Sequence, residues 1–468
     1  MQVKKIALIV ASVSRATQLL SFFADDAKRA GFEVSVFCPD NVYVPLQDFL
    51  AKKSITRFQL IRVPQRSGLA VFNHLRYFAL LDHRLVNKFQ ERFRLMDFKT
   101  SGFFLPYVVW PAARFARLLP FCRHASFWDA LEMRLFGNER YYREIFSRNH
   151  FEWVVFPGPV LRAMSELQLF VAAKAAHLKV AAVDEAFGQF AILPVPFRHF
   201  DRIFVWNHYT VDEGMRYHSL HRESFVIAGP LRFDSYFKGR VPSRDTFFAS
   251  HGLDPARQLV GVVLSGVDIE YAIIDRIIKK MREQERPFQI VVRVNPFLSK
   301  SDEYSLYRQL PGVHLTDSRD AVLYSGFTPL QSQMADLAAL LKYSDVIVSQ
   351  ASTVAIEAAI FGTPTVYHLF DLQYVEERVT AGRLIRGQEA KRRVRYDEWP
   401  SIANVLKSGS VPLARSMDEL MQLIDDALAS RDRFARGRSV LVKDLCTYTD
   451  GRAGERIVKE LYARSATM

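Results

Sequence analysis

The sequence predicts an α/β protein built from two Rossmann-like domains. Short β-branched runs alternate with amphipathic stretches and glycines, the pattern of parallel β-α-β units. The alternation restarts after residue 258, and a chain of 468 residues exceeds what one ordinary core holds. The expected layout is an N-terminal Rossmann-like domain over 1–235, carrying a helical insert at about 66–150. A linker at 236–258, a second Rossmann-like domain over 259–450 and a closing helix at 451–468 follow.

The elements are read in chain order. Lys5–Val10 is a β-branched run, and Leu19, Leu20, Phe23 and Ala27 fall at helical spacing before Gly31. Glu33–Phe37 is the next strand, and Arg57–Val63 a third. Residues 66–148 break the alternation with a helical, aromatic-rich and Arg-rich pattern. The sheet resumes at Trp153–Phe156, Val180–Val183, Arg202–Trp206 and Ser224–Ala228, with a helix at 162–177. Gly239, Pro242, Gly252 and Pro255 mark the linker. In the second series, Leu259–Leu264, Gln289–Arg293, Val313–Leu315, Asp345–Ser349 and Thr365–Tyr367 read as strands. Residues 268–284, Asp336–Tyr343, Thr353–Phe361, 417–430 and 451–463 read as helices.

Composition is globular, with 49% hydrophobic and 24% charged residues. Cys38, Cys122 and Cys446 lie far apart with no C-x-x-C spacing, which points to reduced thiols and a cytoplasmic setting. Lys4 and Lys5 before the apolar run Ile6–Val13 mimic a signal peptide, but the run is short and lacks a small-x-small cleavage site. A buried first strand is the expectation. The uncharged stretch 101–113 falls short of the ~20 residues of a spanning helix.

The net charge of +13 is localised. Residues 66–125 hold ten Lys/Arg against three Asp/Glu, and residues 378–395 hold seven against one. Such clusters suit a negatively charged partner, with a solvated basic face as the plain alternative. The 66–125 segment also carries twelve aromatic residues, several interleaved with Arg114, Arg117 and Arg123. That is the composition of an interfacial contact with anionic membrane, on the inner face of the cell membrane, or of an ordinary packed helical subdomain. No nucleic-acid-binding module is present, so nucleic acid is not an expected partner.

Residues 344–368 are the most informative. A buried strand runs into Ser349-Gln-Ala-Ser352-Thr353, where a helix begins. Ser352 reads as its N-cap, and exposed amides there, with hydroxyls of Ser349, Ser352 and Thr353, suit a phosphate. Glu357 lies four residues after Thr353 on the same face and is expected to take the paired hydroxyls of a ribose. On an otherwise apolar helix an unpartnered carboxylate would be costly. The plain alternative is a capped helix of an α/β domain. Gly362 and Pro364 end the helix. Arg293 is a cation for the leaving pyrophosphate.

A second candidate is Asp184-Glu185, two acids at the end of a parallel strand, where α/β sheets bind ligands. Glu185, then Asp184, is nominated as a general base, with a plain capping or linker carboxylate as the alternative. The loop after the first strand lacks Gly-x-Gly-x-x-Gly, which disfavours classical dinucleotide binding. Ser14 and Arg15 in that loop are candidates to contact a phosphate or an acceptor, with an ordinary surface Arg as the alternative. Neither Asp-x-Asp nor a His or Cys cluster occurs, so no metal and no resident cofactor is expected.

The segment SDVIVSQASTVAIEAAIFGTP resembles the donor region of GT-B glycosyltransferases. It is similar also to that of the non-hydrolysing sugar-nucleotide 2-epimerases and the teichoic-acid glycerophosphotransferases. Arg293-Val-Asn295-Pro296 sits where the glycerophosphotransferases carry Arg-x-His-Pro, with Asn in place of His. Gly229-Pro-Leu-Arg-Phe-Asp234 resembles the entry to the interdomain linker, and Asp450-Gly451 the start of the closing helix. Arg202–Asn207 followed by Gly229 resembles polysaccharide transferases, and His368 and Asp371 resemble a Tyr-Asp-x-x-x-Tyr region.

The resemblance spans about residues 150–460. It implies two domains facing each other across a cleft and a nucleotide-sugar donor held by Ser349, Ser352, Thr353, Glu357, Arg293, Asn295, Ser265, Gly266 and His368. It implies transfer, without metal, to a cell-surface polysaccharide or lipid-linked glycan acceptor. Val180–Gly188 resembles the epimerases' His-Val-Glu-Ala-Gly, but the His and the following Arg are missing. Epimerase chemistry and polyol-phosphate transfer are the alternatives, and a catalytically inert scaffold binding a glycan lipid is a third.

Overall fold

The structure is a computed structural model. It describes residues 4–10, 23–40, 42–44, 46–47, 58–63, 115–116, 118–137, 140–159, 161, 164–184, 186–192, 199–264, 277–279, 288–293, 310–316, 330–350, 352–368 and 400–465. The chain forms two compact units, one of Met1–Asp234 with Arg452–Met468 and one of Ser235–Gly451.

The first unit begins with β1 (Lys4–Ile9), α1 (Ala24–Arg29), β2 (Phe32–Pro39) and β3 (Gln59–Val63). Helices α2 (Ala125–Phe136) and α3 (Arg140–Asn149) follow, then β4 (Trp153–Phe156), α4 (Met164–Ala175) and β5 (Lys179–Val183). β6 (Arg202–Val205), α5 (His208–His218) and β7 (Phe225–Ile227) complete the series. The seven strands are parallel, in the order β3-β2-β1-β4-β5-β6-β7. Leu8 at the centre faces Val36 on one side and Val155 on the other. Strands covered on both faces read as unbroken apolar runs, and Ile6–Ile9 and Trp153–Phe156 are accordingly buried.

The second unit opens with α6 (Arg244–His251), β8 (Leu259–Val263), β9 (Gln289–Arg293) and β10 (Val313–Thr316). It continues with α7 (Leu330–Tyr343), β11 (Val346–Ser349), α8 (Val354–Ile360) and β12 (Thr365–His368). It ends with α9 (Pro400–Leu406), β13 (Leu413–Ala414), α10 (Met417–Ala429) and α11 (Ala435–Cys446). Its six strands are parallel, in the order β10-β9-β8-β11-β12-β13. Both sheets are thus wound in both directions from a central pair, the Rossmann arrangement.

The stretch read as a linker contains α6, and its turn residues serve that helix. The Ser243 hydroxyl accepts from the Thr246 amide at 3.2 Å, and Gly252 takes φ +63° at the C-terminal end. Phe247 and Phe248 pack into the core of the second unit with Leu259, Val291 and Ile347. Each such burial contributes roughly 1.5–3 kcal/mol.

The closing helix α12 (Ala453–Ser465) belongs to the first unit. The buried carboxylate of Asp234 accepts the amides of Ala453 and Gly454, one on each oxygen at 3.1 Å. Asp234, the last residue of the Gly229–Asp234 motif, therefore caps the start of the closing helix. Further along, Glu460 pairs with Arg202 at 3.0 Å, and the Trp153 indole donates to the Leu461 carbonyl at 3.1 Å. The part of the helical insert at 64–114, like the helix expected over most of 268–284, lies outside the described residues.

Candidate functional site

In the second sheet the chain direction of strand addition reverses between β8 and β11. Ligands of doubly wound sheets bind outside the carboxyl ends of the strands at such a switch point. Ser349 is the last residue of β11 and lies level with Val263 of β8. The Ser349–Thr353 turn therefore sits at the predicted place, with α8 behind it.

The hydroxyls there are used differently from the sequence expectation. Ser349 is buried and its Oγ donates inward, to the Val263 carbonyl at 2.9 Å or to that of Gln350 at 3.0 Å. Its Oγ also lies 3.3 Å from that of Ser352. The N-cap position of α8 is Thr353 rather than Ser352. The Ser352 Oγ accepts from the Val354 amide at 3.3 Å, so the turn itself uses one of the amides expected to face a phosphate. Ser352 and Thr353 are only half-buried. The Ser352 carbonyl accepts from the buried Tyr367 hydroxyl, which pins the turn to β12; burial pushes that phenol's pKa upward.

Glu357 is 1% exposed. Its Oε2 accepts from the Tyr236 hydroxyl at 3.0 Å, and its Oε1 lies 3.5 Å from the Thr353 hydroxyl. The carboxylate thus has a protein partner, which the sequence reading did not supply. Tyr236 packs against Phe361 in a tilted pair with ring centroids 5.2 Å apart, and its hydroxyl reaches the Met334 sulfur at 3.8 Å. Cys446, on α11 against α8, has its thiol pKa pushed up by burial first and by Glu357 second.

Arg293 ends β9, beside β8. Its guanidinium donates to Asp336 on α7 at 2.8 Å, and the other Asp336 oxygen bonds the His251 Nε2 at 2.8 Å. Burial lowers the Arg293 pKa from its ordinary value, while Asp336, Tyr236 and Glu357 pull it back up. Arg293, Tyr236, Glu357, Asp336 and Thr353 therefore form one electrostatic cluster behind the turn. Tyr236 and Asp336 carry no motif; the nearest signal for Tyr236 is its position two residues after the Gly229–Asp234 segment.

His368 ends β12, fully buried, and burial alone lowers its pKa to about 4. It is a neutral imidazole at neutral pH. In the first unit Asp184 follows β5 and is 2% exposed. Its Oδ1 lies 3.4 Å from the Ala186 amide, and its carbonyl accepts the Trp206 indole N–H at 2.9 Å. Glu185, Asn295, Ser265, Gly266, Ser14, Arg15 and Asp371 lie outside the described residues. Among the described residues there is no group of three or more His, Cys, Asp or Glu able to hold a metal ion. Among them no helix is long and apolar enough to cross a membrane.

No family model matches the chain, and no curated protein matches it either. Solved structures do match over the full length. A UDP-GlcNAc 2-epimerase from Neisseria meningitidis, bound to UDP-GlcNAc, superposes with a TM-score of 0.54 at 12% identity, covering 98% of this chain and 100% of that one. The wall teichoic acid polymerase TagF, soaked with CDPG, gives 0.52 at 10% identity over 99% and 89%. A glycosyltransferase from Rickettsia africae gives 0.50 at 9% identity over 99% of each chain. At such identities the likeness speaks for the fold, and the chain has the two-Rossmann GT-B fold shared by sugar-nucleotide epimerases, a teichoic acid polymerase and a glycosyltransferase.

Proposed function

We propose that the chain is a metal-independent glycosyltransferase that moves a sugar from a nucleotide-sugar donor to a polysaccharide or lipid-linked glycan. The observation that carries the reading is the Ser349–Thr353 turn at the switch point of the second sheet, backed by buried Glu357 and flanked by Arg293. In this reading the donor's ribose hydroxyls meet the Glu357 carboxylate, oriented by Tyr236. The half-buried Ser352 and Thr353 hydroxyls and the Arg293 guanidinium meet developing charge on the diphosphate. Glu185, with Asp184 as second nominee, serves as base for the acceptor hydroxyl.

The test is turnover and hydrolysis of UDP-, CDP-, GDP- and CMP-linked sugars by the intact chain and by Ser352→Ala, Thr353→Val and Glu357→Ala. The reading expects at least one donor to be consumed and about 10- to 100-fold loss in variants that keep the wild-type melting temperature. Undiminished turnover in all three refutes the site. A second reading, sugar-nucleotide 2-epimerase, is favoured by the Neisseria meningitidis neighbour and its bound UDP-GlcNAc. Incubation with UDP-GlcNAc alone separates the two, since an epimerase needs no acceptor.

A further inference from the structure

Two short turns precede α2, and their large apolar side chains are exposed. Leu118 and Leu119 amides bond the carbonyls of Phe115 and Ala116 at 2.9 and 3.0 Å. A short 3₁₀ turn follows at Pro120–Arg123. Trp128 of α2 fixes that turn from behind. It is 2% exposed, and its indole donates to the Cys122 carbonyl at 2.7 Å. Phe127 completes the pin, 4.9 Å from the Phe121 ring and 5.5 Å from Trp128. Cys122 and Trp128 are the centre of this local core, with Ala116 and Phe127 packed against it.

Held in this way, Phe115 is 68% exposed, Leu118 70% and Phe121 49%. Leu119 is exposed as well. Single exposed leucines are ordinary, but four exposed large apolar side chains between Phe115 and Phe121 mark a surface suited to a partner. The sequence around the turn chooses the partner. From Arg114 to His124 it carries three arginines, one histidine and no acidic residue. It closes the 66–125 stretch with its ten basic and three acidic residues. Exposed apolar side chains within a stretch of net positive charge suit an anionic phospholipid surface. We propose that Phe115, Leu118, Leu119 and Phe121 form a wedge that seats the protein on an anionic bilayer. This goes beyond the transfer reading and does not depend on it.

Flotation of the intact chain with vesicles of phosphatidylglycerol and phosphatidylcholine, against phosphatidylcholine alone, tests the wedge. The wild type should float with the anionic vesicles, less so as salt is raised. Phe115→Ser with Leu118→Ser should weaken binding at least about tenfold at an unchanged melting temperature. Leu118→Trp should keep binding and shift its fluorescence to the blue on adding anionic vesicles. The proposal is overturned by wild-type protein that stays unbound, by a double Ser variant that floats like wild type, or by a Leu118→Trp signal that does not move. It is overturned equally by a wild-type dimer in gel filtration that the double variant abolishes, which would assign the patch to a second copy.

Discussion

The hydrogen bond between Tyr236 and Glu357 is the feature of the site most open to direct measurement. Both residues are buried and the Oη–Oε2 distance is 3.0 Å. A hydrogen bond to an ionised partner contributes about 1.5–3 kcal/mol net. Tyr236→Phe removes only the hydroxyl, and Glu357→Gln removes the charge at nearly constant shape. Each should destabilise the second unit by about 2 kcal/mol, the Gln variant somewhat more because Arg293 loses a nearby counter-charge. For a unit the size of Ser235–Gly451, that is a fall of about 4–8 °C in melting temperature. The double variant should show a coupling of about 1–2 kcal/mol, because the two single changes remove one shared interaction. Differential scanning calorimetry of the four proteins gives the cycle. Additive effects with zero coupling would show that Tyr236 does not hold Glu357, and the orientation assigned to the carboxylate would fall with it.

Other outcomes follow from the same geometry. Asp234→Ala leaves the amides of Ala453 and Gly454 without their acceptor, and should destabilise the first unit by about 2–4 kcal/mol, with Asp234→Asn intermediate, as read by denaturant unfolding. Glu213 of α5 is buried, and desolvation chiefly, with Asp212, raises its pKa to about 8. The folded state holds that proton where the unfolded chain has released it, so stability falls as pH rises from about 4.5 through 8. Glu213→Gln should flatten that slope in melting curves taken across the same range. His368 has the opposite sign: its folded pKa of about 4 means stability is lost as pH falls from about 6.5 toward 4, and His368→Asn should reduce the loss. The thiols of Cys38, Cys122 and Cys446 are buried and their pKa values pushed up by burial, that of Cys38 to about 12. A colorimetric thiol reagent should find all three slow in the native protein and all three reactive after denaturation.

Much of the fold was legible because parallel strands covered on both faces leave continuous apolar runs. Trp153–Phe156, Gln289–Arg293 and Val346–Ser349 stand where those runs predict them. Four of the described helices, α5, α6, α9 and α11, were not. α6 is short and bracketed by Gly239, Pro242, Gly252 and Pro255, so its caps read as loop. α11 buries only Arg438, Leu441, Leu445 and Cys446 of twelve residues, and shows little apolar stripe. β13, of two residues, is too short for any pattern. At the site, local chemistry was visible and tertiary partners were not. The Ser349–Glu357 segment could be singled out because strand, turn and helix are contiguous. Tyr236 lies 121 positions from Glu357, and Asp336 43 from Arg293; no local spacing encodes either pair. The inward turn of the Ser349 hydroxyl likewise depends on the neighbouring strand's Val263 carbonyl.

The central claim is that the second unit holds a nucleoside diphosphate at the Ser349–Thr353 turn. Calorimetric titration of the intact chain with UDP, CDP, GDP and CMP tests it most directly, with Thr353→Val run alongside. One base should bind with a single site per chain, and the Thr353 variant should bind it about tenfold more weakly at unchanged stability. Heat changes no larger than dilution for all four nucleotides, or equal affinity in the Thr353 variant, would contradict the assignment.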